Sequence, residues 1–169
     1  TVLALDSVRC GKWEVFTLGV VWQSRVVVIG WTVLPYPWPK KAFTPAVVAL
    51  IREVAAAWPA GHAVHLLADR GFPSKAFFRA LREVGWGWTV RVQARSWVVT
   101  SAGHDGVVRE LLQQHPGSGW TTVAASYGRG PEAVSATLVL RHPVHQPPPH
   151  QTAPASRRVR QQQAERRLS

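Results

Sequence analysis

The stretch HLLADRGFPS, residues 65–74, runs from apolar residues straight into a carboxylate. Leu66, Leu67 and Ala68 are typical of a short buried strand, and the residues after Ser74 recur at helical spacing. Asp69 therefore lies where the predicted strand ends, just ahead of a helix. An aspartate in such a place is often only a turn residue. It can also be a metal ligand, and a second carboxylate placed in the same way would favour that interpretation.

A second carboxylate does follow an apolar run, in TVLALDSV at residues 1–8, where Asp6 comes after VLAL. If the strands ending at Asp6 and Asp69 are parallel neighbours, their carboxyl ends lie side by side, because adjacent strands are about 4.8 Å apart. Two carboxylates that close repel each other unless a cation lies between them. Oxygen ligands suit Mg²⁺ or Mn²⁺. The sequence therefore predicts a divalent-metal site of the kind that phosphoryl transfer on nucleic acid needs.

The periodicity of the chain predicts an α/β fold with a mixed sheet. Strands are predicted at residues 1–8, 13–22, 25–34, 63–68 and 88–95, and helices at residues 45–58 and 75–84. The first three strands have short connections, which indicates an antiparallel meander. Thr44 and Ser74 are the predicted helix caps. The element order β-β-β-α-β-α-β indicates α/β packing, and the strand at 88–95 is expected to have one basic, open face.

Composition narrows the classes of protein and partner. The net charge is +11, from 20 Lys and Arg against 9 Asp and Glu, which favours polyanionic partners, nucleic acid first. Biased composition is the alternative, since Arg far outnumbers Lys. The only cysteine, Cys10, excludes an internal disulfide and fits a reducing cytoplasm. No apolar run is long enough for a membrane span.

Three blocks together resemble the DDE transposases of bacterial insertion sequences, of the IS-four type. They are LALDS at 3–7, LLADRGFPS at 66–74 and WTVRVQAR at 88–95. The resemblance implies an RNase H-like catalytic core, here residues 1–95, followed by the start of a β-rich insertion at 96–140. It implies cleavage and strand transfer of double-stranded DNA, at transposon ends and a target, with Mg²⁺ or Mn²⁺. It also implies a homodimer when the protein is full length, and a cytoplasmic, nucleoid-associated location in a bacterium.

The same resemblance assigns roles to single residues. Asp6 and Asp69 correspond to the first two catalytic, metal-binding carboxylates. The family's third acid, a glutamate in a helix after a tyrosine and an arginine, is missing, because Tyr127 is followed by Gly130 and Val134 at the corresponding positions. Three other glutamates stand in the wrong context: Glu110, Glu132 and Glu165. A truncated transposase, inactive alone, is therefore expected.

The remaining candidates are basic, aromatic and histidine side chains. Contacts to DNA are predicted for Arg70, Arg91, Arg95 and Trp97, with a solvated strand face and core packing as the alternatives. Trp120 is a further candidate for base stacking. Histidine pairs or clusters at metal-like spacing are more simply loop residues or accidents of composition: His62, His65, His142, His145 and His150.

Residues 141–169 contain no aromatic residue and five prolines, and they predict a disordered basic tail. The change in composition near Arg141 resembles DNA translated in a shifted frame. Two other functions stay open beside the transposase. One is a non-catalytic domain that binds DNA through charge, and the other is a different RNase H-like nuclease, such as a resolvase.

Overall fold

The computed structural model describes residues 1–115 and 119–142. It has three helices and two sheets, which confirms the mixed α/β class. The first seven elements are β1 Val2–Cys10, β2 Trp13–Trp22, β3 Arg25–Pro35, α1 Phe43–Ala57, β4 His65–Ala68, α2 Lys75–Glu83 and β5 Gly87–Val90. They occur in the predicted order. Residues 143–169 lie outside the described residues, and with them the predicted disordered tail, His145 and His150.

The first sheet has five strands in the order β3-β2-β1-β4-β5. Strands β1, β2 and β3 form the predicted antiparallel meander, whereas β4 is parallel to β1 and β5 is parallel to β4. A β-bulge interrupts the β2–β3 pairing at Gly19. A Cβ atom at that position would lie 2.7 Å from the carbonyl oxygen of Val27, so only glycine fits there without displacing the backbone.

Helices α1 and α2 pack on one face of the five-stranded sheet and bury an aromatic and aliphatic core. This sheet and its two helices are the first unit, and the sheet described below, with its helix, is the second. Ser74 caps α2 as predicted, since its hydroxyl accepts a hydrogen bond from the Phe77 N–H at 3.2 Å. The prediction of Thr44 as a cap is wrong. Helix α1 begins one residue before Thr44, at Phe43, and its N-cap residue is Ala42, which makes no side-chain capping bond. The opposite face of the sheet exposes large apolar side chains, among them Trp31 and Val33.

The predicted strand at 88–95 is too long. Strand β5 ends at Val90, and Arg91 continues only with a hydrogen bond from its N–H to the Ala68 carbonyl oxygen. The chain then turns, because the Ser96 N–H donates to the Gln93 carbonyl oxygen at 2.9 Å. Val92 leaves the sheet and packs against a second core cluster, formed by Val98, Val108, Leu111 and Leu140. The basic face is therefore that of a loop.

The second sheet is antiparallel, with strands in the order β7-β6-β8-β9, and it carries one short helix. Its elements are β6 Trp97–Thr100, β7 Asp105–Val107, α3 Val108–Gln114, β8 Gly119–Tyr127 and β9 Val134–His142. The β8–β9 hairpin also packs on α2. Tyr127 and Val134 join the core of the first unit, and Tyr127 contacts Phe78 with ring centroids 5.0 Å apart.

Polar contacts reinforce this junction. The Lys75 ammonium donates to the Arg129 carbonyl oxygen at 2.8 Å, and the Arg79 guanidinium pairs with the Glu132 carboxylate at 2.8 Å. Along the described ranges, no helix is long and apolar enough to cross a membrane.

Candidate functional site

The two aspartates lie on neighbouring parallel segments, but only Asp69 follows the end of its strand. Strand β1 continues past Asp6 to Cys10, paired with β2, so the prediction that Asp6 ends its strand is wrong. Strands β1 and β4 pair in register from Val2 opposite His65 to Leu5 opposite Ala68. Asp6 and Asp69 are the next residues along these two segments of the chain. Parallel neighbours are about 4.8 Å apart, which brings the two backbones into adjacent positions at this edge. Both side chains are exposed to solvent. The parallel pairing on which the metal-site prediction depends is thus present in the fold.

Each carboxylate accepts a hydrogen bond from the backbone N–H of the following residue. The Ser7 N–H donates to Asp6 Oδ1 at 2.8 Å. The N–H of Arg70 is the largest cause of a pKa of Asp69 below its ordinary value of 3.8, and the guanidinium of Arg91 lowers the pKa further from 3.3 Å away. Asp69 is therefore ionised near neutral pH, in a partly solvated pair that adds little to stability.

The turn at Asp69 is closed by backbone atoms and not by the Asp69 side chain. The Phe72 N–H closes the turn on the backbone carbonyl oxygen of Asp69 at 3.2 Å, so the turn needs no carboxylate. This geometry weakens the interpretation of Asp69 as a turn residue alone. The carboxylate has free lone pairs for a ligand, since two oxygens can accept about four bonds.

The donor set fits a hard divalent cation with an incomplete protein shell. Within residues 1–115 and 119–142, no cluster of three or more His, Cys, Asp or Glu residues is arranged to hold a metal. Asp6 and Asp69 are thus a pair of oxygen donors. Mg²⁺ is commonly held by one or two carboxylates, with water and substrate phosphates filling the other positions. Two carboxylates therefore suit an ion that meets its substrate at the same site.

Arginines gather beside Asp69. Arg70, Arg91 and Arg95 line a polar cleft of about 560 Å³, together with Arg109. Arg109 is not among the residues predicted from the sequence; it lies in α3, which belongs to the second sheet. Its backbone N–H donates to the Ala94 carbonyl oxygen at 2.9 Å, which fixes the start of α3 against the loop after β5. No local pattern indicates this contact, since it depends on how the two units pack.

Trp97, the fourth residue expected to contact DNA, lies apart from this cleft's lining and is already occupied. Its indole N–H donates to Asp105 Oδ1 at 2.6 Å, and the Arg129 guanidinium covers the ring at 3.5 Å from the centroid. The indole N–H and one face of the ring thus already have partners, so we assign Trp97 to the packing of the second sheet. Trp120 is 69% exposed, and Arg141 lies 5.3 Å from its ring centroid.

The two histidines at 62 and 65 do not act together. His62 Nδ1 lies 3.2 Å from the Ala60 carbonyl oxygen, and His65 Nε2 lies 2.9 Å from the Thr89 hydroxyl. Each therefore has its own local partner, as the simpler interpretation of their spacing predicts. The side chain of His142 lies outside the described part of the structure.

No protein-family model matches the chain, and no curated protein matches it. Similar solved structures include a Ppx/GppA family member from Aquifex aeolicus, at 12% identity over 82% of this chain and 50% of that one, with a TM-score of 0.30. The type II variant of the Aquifex aeolicus Ppx/GppA phosphatase is similar at 12% identity, 82% and 51% coverage and a TM-score of 0.29. The chain spans about half the length of these structures.

These structures belong to a phosphatase family and not to transposases. The predicted identity as an insertion-sequence transposase is therefore wrong, together with the predicted activity in transposition and recombination. The predicted partners, transposon ends and target DNA, are wrong for the same reason. The roles assigned to Asp6, Asp69, Arg70, Arg91 and Arg95 as site residues stay predictions.

Proposed function

We propose that this chain binds a divalent cation, Mg²⁺ or Mn²⁺, at Asp6 and Asp69 and acts on phosphate esters or anhydrides. One observation carries the proposal: two carboxylates follow the last paired residues of adjacent parallel strands, beside a cleft lined by arginines. Carboxylates suit the cation and guanidinium groups suit phosphate. The pairing of these two chemistries at one edge is typical of a site for phosphoryl transfer.

The side chains have distinct roles in this proposal. Asp6 and Asp69 hold the cation through their carboxylate oxygens. A bound divalent cation would polarise the phosphoryl oxygens and offset the charge that develops in the transition state. Arg70 and Arg91 bind and orient the substrate phosphate from the same edge, because a planar guanidinium can donate two parallel hydrogen bonds to it.

Two further proposals concern the arrangement of the sheet and the location of the protein. We propose an RNase H-like arrangement for the five-stranded sheet, which is supported by the meander followed by two parallel strands. A cytoplasmic location is supported by the single, exposed Cys10, which is free of any disulfide.

The test combines metal binding and turnover. Mn²⁺ binding is measured by electron paramagnetic resonance, and phosphate release from p-nitrophenyl phosphate and from adenosine triphosphate is measured with Mg²⁺ or Mn²⁺. Asp6→Asn and Asp69→Asn should each weaken Mn²⁺ binding at least 10-fold, because each removes one charged ligand. Phosphate release should fall by a similar factor or more.

Asp105→Asn is the matched control. Asp105 is also an exposed aspartate with a guanidinium 3.3 Å from its Oδ1 atom, but it lies on β7 in the other sheet. It should leave Mn²⁺ binding unchanged. If all three variants bind Mn²⁺ like the parent, the carboxylate pair is structural and the proposed function fails. Metal binding without any phosphate release would leave a non-catalytic cation-binding domain, which the lack of a third described acidic ligand would favour.

A further inference from the structure

The five-stranded sheet ends at a long edge strand. Strand β3 is the first in the order β3-β2-β1-β4-β5, so within the described residues it pairs only with β2. About half of its backbone N–H and carbonyl groups point away from β2, because the residues of a strand alternate between its two sides. In the same part of the chain, none of the backbone hydrogen bonds made by loops and termini reaches residues 25–35. The outer side of β3 is therefore open to another strand.

The sequence of β3 does not protect this edge. Edge strands of soluble proteins usually carry charged residues or proline, which prevent a further strand from pairing. Residues 26–34, VVVIGWTVL, contain neither. Ile29 is the extra residue of the β-bulge, and the register with β2 is regular from Gly30 to Leu34. That regular part of the edge can accept an extended segment.

A groove of about 470 Å³ lies between this edge and the C-terminal half of α1. Gly30 faces the helix, since a Cβ atom there would lie 2.7 Å from Val54 Cγ2. The walls are mainly apolar, and they include Ile29, Gly30, Leu50, Val54 and Ala57. We call this cavity the edge groove. Its size and its lining suit a large apolar side chain.

Glu53 gives the edge groove a negative charge. Among the described residues, it is the one charged side chain that lines the groove. Five other acidic side chains in that part of the chain form ion pairs with arginine, whereas Glu53 forms none. An exposed carboxylate beside an apolar groove favours a partner that carries both an apolar side chain and a cationic one.

We propose that the edge groove binds an extended peptide segment, which adds a strand to β3. The segment places a large apolar side chain in the groove and a lysine or arginine beside Glu53. Side chains of a strand alternate between its faces, so these two residues are separated by one residue. Backbone hydrogen bonds to β3 supply the affinity, and the two side chains supply the specificity. The groove shares no lining residue with the cleft beside Asp69, so this interaction does not depend on the proposed phosphate chemistry.

Fluorescence anisotropy with a labelled nonapeptide tests the groove. The probe alternates threonine with valine, leucine and lysine, and its leucine and lysine are two positions apart. Ala57→Trp should weaken binding about 10-fold or more, because an indole at this exposed position fills the groove. Ala56→Trp is the matched control. Ala56 is exposed on the same helix but does not line the groove, so its replacement should change the affinity less than about 2-fold. Equal effects of the two changes would overturn the proposal.

A second peptide, with glutamine in place of the lysine, tests the role of Glu53. Glu53→Gln should weaken binding of the lysine peptide about 3- to 5-fold, the usual worth of an exposed ion pair. It should leave the affinity for the glutamine peptide unchanged. This difference between the peptides isolates the contact, because a general effect on the fold would weaken both equally. Equal losses would contradict the assignment.

Methylation of the peptide nitrogen atoms tests the added strand. Methyl groups on alternate residues remove the N–H donors from one side of an extended segment and leave the other side intact. Of two peptides methylated at odd or at even positions, one should therefore lose binding about 10-fold or more and the other less than about 3-fold. Equal losses would overturn the added strand. Light scattering of the protein without peptide tests the other occupant of this edge, since a dimer that Ala57→Trp dissociates and Ala56→Trp does not would assign the groove to a second copy of the chain and refute the proposal.

Discussion

Replacing Phe78 by alanine should strongly destabilise the fold. The ring of Phe78 is 1% exposed and contacts Trp88 and Tyr127 at centroid distances of 4.7 and 5.0 Å. Burying about 150 Å² of aromatic surface at 25 cal/mol/Å² contributes about 4 kcal/mol to stability. Phe→Ala changes in cores cost about 3–5 kcal/mol, in agreement. Since domains unfold with only about 5–15 kcal/mol, much of the stability should be lost.

Urea unfolding followed by far-ultraviolet circular dichroism measures this loss. Trp22→Ala is the control, because Trp22 is 63% exposed and its removal should change the free energy of unfolding by less than about 0.5 kcal/mol. If Phe78→Ala fails to fold, Phe78→Leu should still lose about 1.5 kcal/mol. A loss below about 1 kcal/mol in Phe78→Ala would show that the β8–β9 hairpin does not pack on α2 as described.

Three further changes test other elements of the fold. Ser74→Ala removes the cap on α2 and should cost about 1 kcal/mol in urea unfolding, whereas Ser74→Gly should cost only a few tenths. Gly19→Ala places a methyl group against the Val27 carbonyl oxygen and should lower the thermal midpoint by several degrees, as scanning calorimetry would detect. Hydrogen bonds from an indole and a guanidinium hold the pKa of Asp105 below its ordinary value, so this carboxylate stabilises the fold above about pH 4 and the effect is lost as the pH falls through its folded pKa. Asp105→Asn should therefore be less stable than the parent at pH 7, and the difference should shrink as the pH falls below about 4. A difference that does not change with pH would contradict the assignment.

Local sequence patterns predicted the first five strands and two helices well. The parallel pairing of β1 with β4 was a condition of the metal-site prediction, and the structure meets it. The failures occurred where tertiary contacts decide the outcome. The alternation of residues 88–95 is that of a strand, but Val92 packs against the second core and takes the chain away from the sheet.

Only some residues of the candidate site could be predicted from the sequence. The two aspartates have a local signature, whereas Arg109 has none, because its place beside Arg70 depends on a hydrogen bond to a loop in another unit. The resemblance to transposases failed for a related reason. Short blocks such as LALDS and ADRGF place a carboxylate directly after an apolar run, and proteins of different function can share that feature.

The packing of the β8–β9 hairpin on α2 has a consequence for the order in which the chain folds. Tyr127 donates from its hydroxyl to the Pro73 carbonyl oxygen, 54 residues earlier, and Glu132 pairs with Arg79 across 53 residues. During synthesis, the loop from Asp69 to Ser74 therefore emerges well before the hairpin that holds it. At about 5–20 residues per second, the synthesis of the 54 residues between Pro73 and Tyr127 takes about 3 to 11 seconds. The hairpin that holds the loop after Asp69 is thus among the last parts of the described chain to be made.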